Sequence, residues 1–325
     1  MSEEAQIVFL YAQDDVPGEI LDEMDRQRPD NFALRFVEQN SNAAHRLEAI
    51  ASADYIIGYP GDPSPRELDC APNLKLLQLL SAGYEHVDLD EFRKRSIPVA
   101  NNGGANAPTV AEHAIMLMLA LYKKLPLHHN ALVNGIWLGS EETLNMRELR
   151  GKTLGIVGFG RIGQEVARVA RGFQTTTLYH DAVRACVSLE AELAAEPRSL
   201  EALLSESDVV TLHTSLNAAS AKLINAKTLS LMKSTAILIN TSRGPIVDEQ
   251  ALGQALREGR IAGAGLDVFE TEPTAADNVL LSLPNVVCTS HIAGITLDTW
   301  YRRIDFGYHN VQRVAAGKQP DSVVS

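Results

Sequence analysis

No part of this chain restricts its fold more than Gly158-Phe159-Gly160-Arg161-Ile162-Gly163, a glycine-rich run set between an apolar segment and an amphipathic one. An apolar run, TLGIV, leads into the first glycine, and an amphipathic run, QEVARVARGF, leaves the last. That order is strand, tight turn and helix. Gly158 permits the turn, Gly160 lets a ligand approach the backbone, and Gly163 lets the helix lie close to the sheet. The first-turn N–H groups of the helix then face negative charge. Glycines alone would be weak support. In register with the strand before and the strand after, they indicate a dinucleotide pyrophosphate site.

Around that loop the chain alternates between short apolar runs and helix-compatible segments. After residue 151, strands are expected at 153–158, 175–180, 208–213, 235–240, 262–268 and 286–289. Six strands with intervening helices make a doubly wound, mononucleotide-binding domain. Before it, apolar runs at 6–11, 55–59, 75–80 and 97–100 suggest a second parallel sheet, again with helices on both faces. Residues 107–125 form a long Ala/Leu/Met helix with Pro108 in its first turn, where a missing N–H costs nothing. That helix is apolar on more than one side, so it is expected to be buried between domains or between subunits. A helix near 309–316 packs back on the first domain. No solenoid repeat or low-complexity segment interrupts the pattern.

Composition narrows the partners. The chain has 325 residues, 45% of them hydrophobic and 22% charged, and a formal net charge of −12. A field of that sign repels phosphate backbones, and Arg147, Arg150 and Lys152 are too few to reverse it, so nucleic acid is excluded as a partner. The N-terminus is acidic where a secretory leader would be basic, and the longest apolar stretch falls far short of the roughly 18 residues that cross a bilayer. Cys70, Cys186 and Cys288 show no paired spacing and are read as reduced thiols of a cytoplasmic protein. No metal is expected. His128 and His129 are adjacent and cannot share a helix face, while His113 and His213 have no ligand-type neighbours at metal spacing.

Three ionisable residues follow the ends of three strands: Arg243, Glu272 and His291. In a parallel sheet those ends share one edge, where ligands of doubly wound folds bind. A histidine can exchange a proton near neutrality, and a carboxylate on its second nitrogen favours imidazolium and fixes the ring. An arginine can hold a substrate carboxylate with two parallel bonds and polarise a carbonyl. Singly they are weak, since His291 alone is as often structural as functional. Together, downstream of a phosphate loop, they point to hydride transfer between a nicotinamide and a small 2-hydroxy or 2-keto acid. Asp181, about 20 residues past the loop, accepts bonds from the adenosine ribose and disfavours a 2′-phosphate, which favours NAD over NADP. Arg184 lies close by and pulls the other way.

The ordered elements GKTLGIVGFGRIGQEVARVARGF, LMKSTAILINTSRGPIVDEQAL, GAGLDVFETEP and TSHIAGIT closely resemble the D-isomer-specific 2-hydroxyacid dehydrogenases. The resemblance is clear over 76–317 and looser before. It implies two doubly wound parallel-sheet domains, with a Rossmann-type NAD-binding domain at 104–292. That domain is inserted in a flavodoxin-like substrate domain made of 1–103 and 293–325, and the active site lies in the cleft between them. It further implies Arg243 as a substrate contact, His291 as acid/base and Glu272 as its partner. Cofactor contacts would be Gly158, Gly160, Arg161, Ile162, Gly163, Asp181, His213, Thr241, Asp267 and Val110, with Asp267 positioning the nicotinamide carboxamide. The backbone at Ser81, Ala82 and Gly83 would bind the substrate carboxylate, with Tyr84 and Asn106 beside it. Members are usually homodimers, joined near the 107–125 helix.

The chain departs from the family pattern at Leu212-His213-Thr214, which lacks the usual following proline. It also departs at 185–198, a segment longer than usual that is expected on the surface without an assigned role. Tyr84 stands where specificity could be set. Trp300 and Tyr301 have two readings, as cleft residues or as core. Formate oxidation on the same scaffold is disfavoured, since those relatives carry glutamine at the position of Glu272. A non-catalytic nucleotide-sensing protein on this fold is the remaining alternative.

Overall fold

The computed structural model describes residues 4–59 and 61–325. The chain divides into two compact units. One takes the chain up to Asn106 and again Thr296–Ser325, and the other is Ala107–Ile295.

The first unit is built on β1 (Ala5–Tyr11), β2 (Phe32–Glu38), β3 (Tyr55–Tyr59), β4 (Leu76–Leu79) and β5 (Val99–Ala100). All pairs are parallel, and the order is β2-β1-β3-β4-β5, the flavodoxin-like arrangement. Successive strand residues point to opposite faces, so the core splits in two. Val8, Leu10, Ile56, Leu77 and Leu79 fill one side, and Ile7, Phe9, Tyr55, Ile57 and Leu76 fill the other. Strand β2 was not expected. Its sequence FALRFVE alternates weakly, and as an edge strand it buries fully only Phe32 and Val37.

The helix Leu297–Ala315 closes the second face through Trp300, Ile304, Tyr308 and Val311. It is longer than the tail helix expected from sequence. Asn310, fully buried, donates from Nδ2 to Gln78 Oε1 at 2.7 Å, and Tyr308 Oη donates to the Met24 carbonyl at 2.7 Å. Of the two readings of Trp300, the structure selects the core. Its ring meets Tyr59 edge-on at 4.6 Å, and the Arg303 guanidinium lies 5.0 Å from Tyr59 and 5.1 Å from Trp300.

The second unit carries β6 (Thr153–Val157), β7 (Thr176–His180), β8 (Ala195–Pro197), β9 (Val209–Leu212), β10 (Ile237–Asn240), β11 (Gly263–Leu266) and β12 (Val286–Cys288). Every pair is parallel, in the order β12-β11-β10-β9-β6-β7-β8. Chain direction across the sheet reverses between β6 and β9, the switch point at which doubly wound folds bind ligands. The six expected strands are present, and β8 is an addition. It lies in the segment expected on the surface, most of which is exposed or half-buried; that segment forms the helix Val187–Leu193 and this edge strand, and only Glu190, Leu193 and Ala195 are buried.

The apolar helix begins as expected but ends at Tyr122, where Lys124 turns left-handed at φ 49° before a second helix, Leu125–Val133. Its breadth of apolar surface is used within the unit, where Ala111, Ala114, Ile115, Leu117 and Met118 join Leu154, Ile156 and Ile239 in one core. Among the described residues no helix is long and apolar enough to cross a membrane.

Trp300→Ala removes the largest side chain at the join of helix and sheet in the first unit. It should cost about 3–5 kcal/mol of stability, read as a lower urea midpoint.

Candidate active site

The glycine-rich turn follows β6 at the switch point. Gly158 sits at φ +92°, and a Cβ there would lie 2.6 Å from the His213 carbonyl carbon; one on Gly163 would lie 2.2 Å from the Gly158 oxygen. Gly160, by contrast, faces open space and caps the helix Arg161–Ala170 without a side-chain bond. The turn is therefore closed from behind and open in front, with helix N–H groups at its mouth.

Asp181 follows β7 and is bound to this turn. Its Oδ2 accepts the Phe159 N–H at 2.6 Å, and its Oδ1 accepts the Val183 N–H at 2.9 Å. Two buried polar atoms nearby in the chain's topology have no hydrogen-bond partner: Thr241 Oγ1, just past β10, and His213 Nδ1, just past β9. Buried polar groups rarely stay unsatisfied, so these atoms suit a polar ligand along the strand ends. His213 Nε2 lies 2.8 Å from Thr211 Oγ1, and desolvation pushes its pKa down to about 3. It is a neutral imidazole in the working range. Val110 is buried in the first turns of the Ala107–Tyr122 helix, whereas Arg161 is exposed and Ile162 half-buried. A nicotinamide dinucleotide fits this donor set.

The three ionisable residues come from neighbouring strands. Arg243 follows β10, Glu272 follows β11 and His291 follows β12. His291 Nδ1 lies 2.6 Å from Glu272 Oε2, and Glu272 Oε1 accepts the Phe269 N–H at 2.9 Å. Burial would raise the Glu272 carboxyl. The His291 hydrogen bond, the Phe269 amide and the charges of His291 and Arg243 outweigh it and hold the group below its ordinary value. The Arg243 charge is thus felt at the dyad. Gly244 makes that approach possible, since a Cβ there would fall 1.8 Å from the Phe269 carbonyl oxygen. The Arg243 loop is braced by Asn240, whose Nδ2 donates to the Arg243 carbonyl at 3.0 Å and whose Oδ1 accepts the Ser242 N–H at 3.1 Å.

His291 has a left-handed backbone, φ +56°, which a non-glycine residue keeps only under constraint. Asp267 supplies the constraint. Its carboxylate, 1% exposed, accepts the Thr289 hydroxyl at 2.6 Å, the Ile292 N–H at 2.9 Å and the Ala293 N–H at 2.9 Å, and its carbonyl accepts the His291 N–H at 2.7 Å. Because Thr289 donates to Asp267, its oxygen accepts from His113 Nε2, 2.9 Å away. Burial lowers the His113 pKa against the pull of Asp267, so the imidazole is a neutral donor. Sequence reading gave Asp267 a cofactor role and missed Thr289 and His113. Adjacency to His291 was the only signal for Thr289, and His113 lies 176 positions away from it.

In the first unit, Ser81, Ala82 and Gly83 form the turn after β4. Ser81 Oγ donates to the Gly83 carbonyl at 2.7 Å, and Asn101 Nδ2 donates to the Ala82 carbonyl at 3.0 Å. Asn106 is buried, and its Oδ1 accepts from Asn102 Nδ2 at 3.2 Å. Tyr84 is half-buried against the core of this unit. Among the described residues there is no group of three His, Cys, Asp or Glu able to hold a metal ion.

Comparison with known proteins shows the family and the fold. Residues 115–293 match the model of the D-isomer specific 2-hydroxyacid dehydrogenase NAD binding domain. A glyoxylate reductase of Korarchaeum cryptofilum is 39% identical over 282 residues, 86% of this chain and 85% of that protein. A hydroxypyruvate reductase of Thermotoga maritima is 38% identical over 237 residues, 72% of this chain and 76% of that protein. Among solved structures, the TT0316 protein of Thermus thermophilus superimposes with a TM-score of 0.82 at 32% identity, covering 98% of this chain and 100% of that one. The apo D-mandelate dehydrogenase of Rhodotorula graminis gives 0.84 at 25% identity, covering 99% and 98%.

His213 generates a pH prediction. Its folded pKa is depressed, so the unfolded chain binds the extra proton below the ordinary value of 6.5. Its contribution to stability is complete above that value and is lost as pH falls toward about 3. Melting temperature should decline over that window, and His213→Gln should flatten the decline.

Proposed function

The chain belongs to the D-isomer specific 2-hydroxyacid dehydrogenase family and is an oxidoreductase, and from that membership we propose that it reduces a small 2-keto acid, of the glyoxylate or hydroxypyruvate kind, to the D-2-hydroxy acid with NADH. The observation that carries this reading is the 2.6 Å contact of His291 Nδ1 with Glu272 Oε2, within reach of the Arg243 charge.

With Nδ1 committed to the carboxylate, Nε2 is the atom that gives its proton to the carbonyl oxygen during reduction and takes it back during oxidation. Glu272, held ionised, steadies the imidazolium and fixes the ring plane. Arg243 pairs with the substrate carboxylate through two N–H groups and draws charge toward the carbonyl oxygen as the hydride arrives. The N–H groups of Ala82 and Gly83 take the same carboxylate, with Tyr84 and Asn106 bordering the substrate. NADH, when bound, supplies the hydride. Gly158, Gly160, Arg161, Ile162 and Gly163 hold its pyrophosphate, and Asp181 holds the adenosine ribose hydroxyls and selects against a 2′-phosphate. His213, Thr241, Asp267 and Val110 border the nicotinamide end.

The working species is a cytoplasmic homodimer. The free thiols of Cys70, Cys186 and Cys288 suit a reducing compartment. For the dimer, the support is an exposed apolar arm after the Ala107–Tyr122 helix, where Leu132 is 59%, Trp137 83% and Leu144 84% exposed. Trp137→Ser with Leu144→Ser should shift the protein to monomer in light scattering. An unchanged mass would count against the arm.

A spectrophotometric panel of glyoxylate, hydroxypyruvate and larger keto acids with NADH, and formate with NAD, tests the reaction directly. Turnover should appear with the keto acids and not with formate. His291→Ala should lower kcat at least ~10²-fold with NADH binding retained, and Arg243→Ala should raise KM and lower kcat together. A His291→Ala protein as fast as wild type would remove the acid/base assignment.

A further inference from the structure

The segment left without a role by sequence reading supplies one residue, Glu190, whose contacts converge beside the dinucleotide turn. Tyr179, on β7 two residues before Asp181, stacks its ring on Phe159 of the glycine-rich turn, with centroids 4.1 Å apart and planes 20° apart. The Tyr179 hydroxyl donates to Glu190 Oε1 at 2.6 Å and accepts the Ala185 N–H at 3.1 Å. On its other side the Glu190 carboxylate takes Arg184 with two bonds, Nε to Oε1 at 2.9 Å and Nη2 to Oε2 at 3.0 Å. Arg184 is the cation that stands nearest to Asp181 in the chain, and an arginine just after this strand is what a 2′-phosphate would seek.

We infer that Glu190 is a positioning residue for cofactor choice, clamping Arg184 so that its guanidinium is withheld from a 2′-phosphate and the selection for an unphosphorylated adenosine ribose is sharpened. The inference rests on the proposed role of Asp181 at that ribose.

Two features make the clamp effective. First, the pairing is bidentate and matches the planar fork of the guanidinium to the carboxylate, which gives an otherwise exposed side chain a defined orientation. Second, Glu190 is itself buried and anchored by Tyr179, so it cannot follow Arg184 outward. The Arg184 and Tyr179 hydrogen bonds hold the Glu190 carboxyl down to about 2, so it is ionised throughout the physiological range. Asp181 and Glu190 together carry two negative charges against the one positive charge of Arg184. A dianionic 2′-phosphate arriving there meets repulsion, with its natural partner already occupied. Arg168, on the facing helix, is likewise engaged by Glu165 and Glu192.

The test is a titration of NADH and NADPH binding by nicotinamide fluorescence, which needs no turnover. Glu190→Gln and Glu190→Ala should each strengthen NADPH binding about tenfold and leave NADH within about twofold. Arg184→Ala alone should leave both affinities within about twofold, because the guanidinium is already sequestered. Combining Arg184→Ala with Glu190→Gln should abolish the gain. Glu190→Gln keeps an acceptor for Tyr179, so it reports even if Glu190→Ala destabilises the helix Val187–Leu193. An unchanged NADPH-to-NADH ratio in Glu190→Gln would overturn the inference. So would a gain that survives Arg184→Ala, which would reduce the effect to removal of a charge, or an Arg184→Ala protein that has already lost NADPH affinity. Asp181→Ser is read separately. If it leaves the ratio unchanged, the ribose assignment fails, whatever the Glu190 variants show.

Discussion

A carboxylate that is 1% exposed would be costly to keep charged were it not fully engaged, and Asp267 is engaged on every side. Its acceptors take one hydroxyl and two backbone amides from a single turn, and its own carbonyl takes a third amide, that of His291. The turn is thereby welded to the end of β11. The left-handed backbone of His291 is held by those bonds, and it is this backbone that sends the imidazole toward Glu272. The proposed acid/base geometry thus depends on a group that is not itself asked to transfer a proton. His113 and Thr289 extend the same network toward the Ala107–Tyr122 helix, so the helix that builds the core also steadies the site.

What the sequence made legible follows from where information is stored along a chain. The phosphate turn was readable because its glycines, strand and helix are contiguous, and each glycine answers to a local requirement. Arg243, Glu272 and His291 were readable for a different reason. A parallel sheet places all strand ends on one edge, so residues far apart in sequence could be assigned to one neighbourhood from topology alone. The resemblance to a known family then supplied roles that topology cannot.

Other features were illegible for equally physical reasons. Thr289 and His113 matter through a contact between distant segments, and nothing near His113 in sequence announces it. Glu190 sits on a short helix among exposed neighbours, where a glutamate reads as a solvated face; only folding shows that it points inward to Tyr179 and Arg184. Strand β2 escaped because an edge strand needs less apolar content than a central one. The long apolar helix invited an intermolecular explanation because periodicity reports how much surface is buried and not what buries it. In this fold, one sheet and a neighbouring helix take much of that surface, while Met116 stays 45% exposed.

Strand β8 is three residues long and ends in Pro197, paired in register with Tyr179. Proline has no amide hydrogen to offer outward, and so short a strand presents almost no ladder to a passing extended chain. A sheet of seven parallel strands would otherwise finish in a template for further strand addition. At this margin it finishes blunt, and the protein is guarded there against the sheet-to-sheet growth that leads to aggregates.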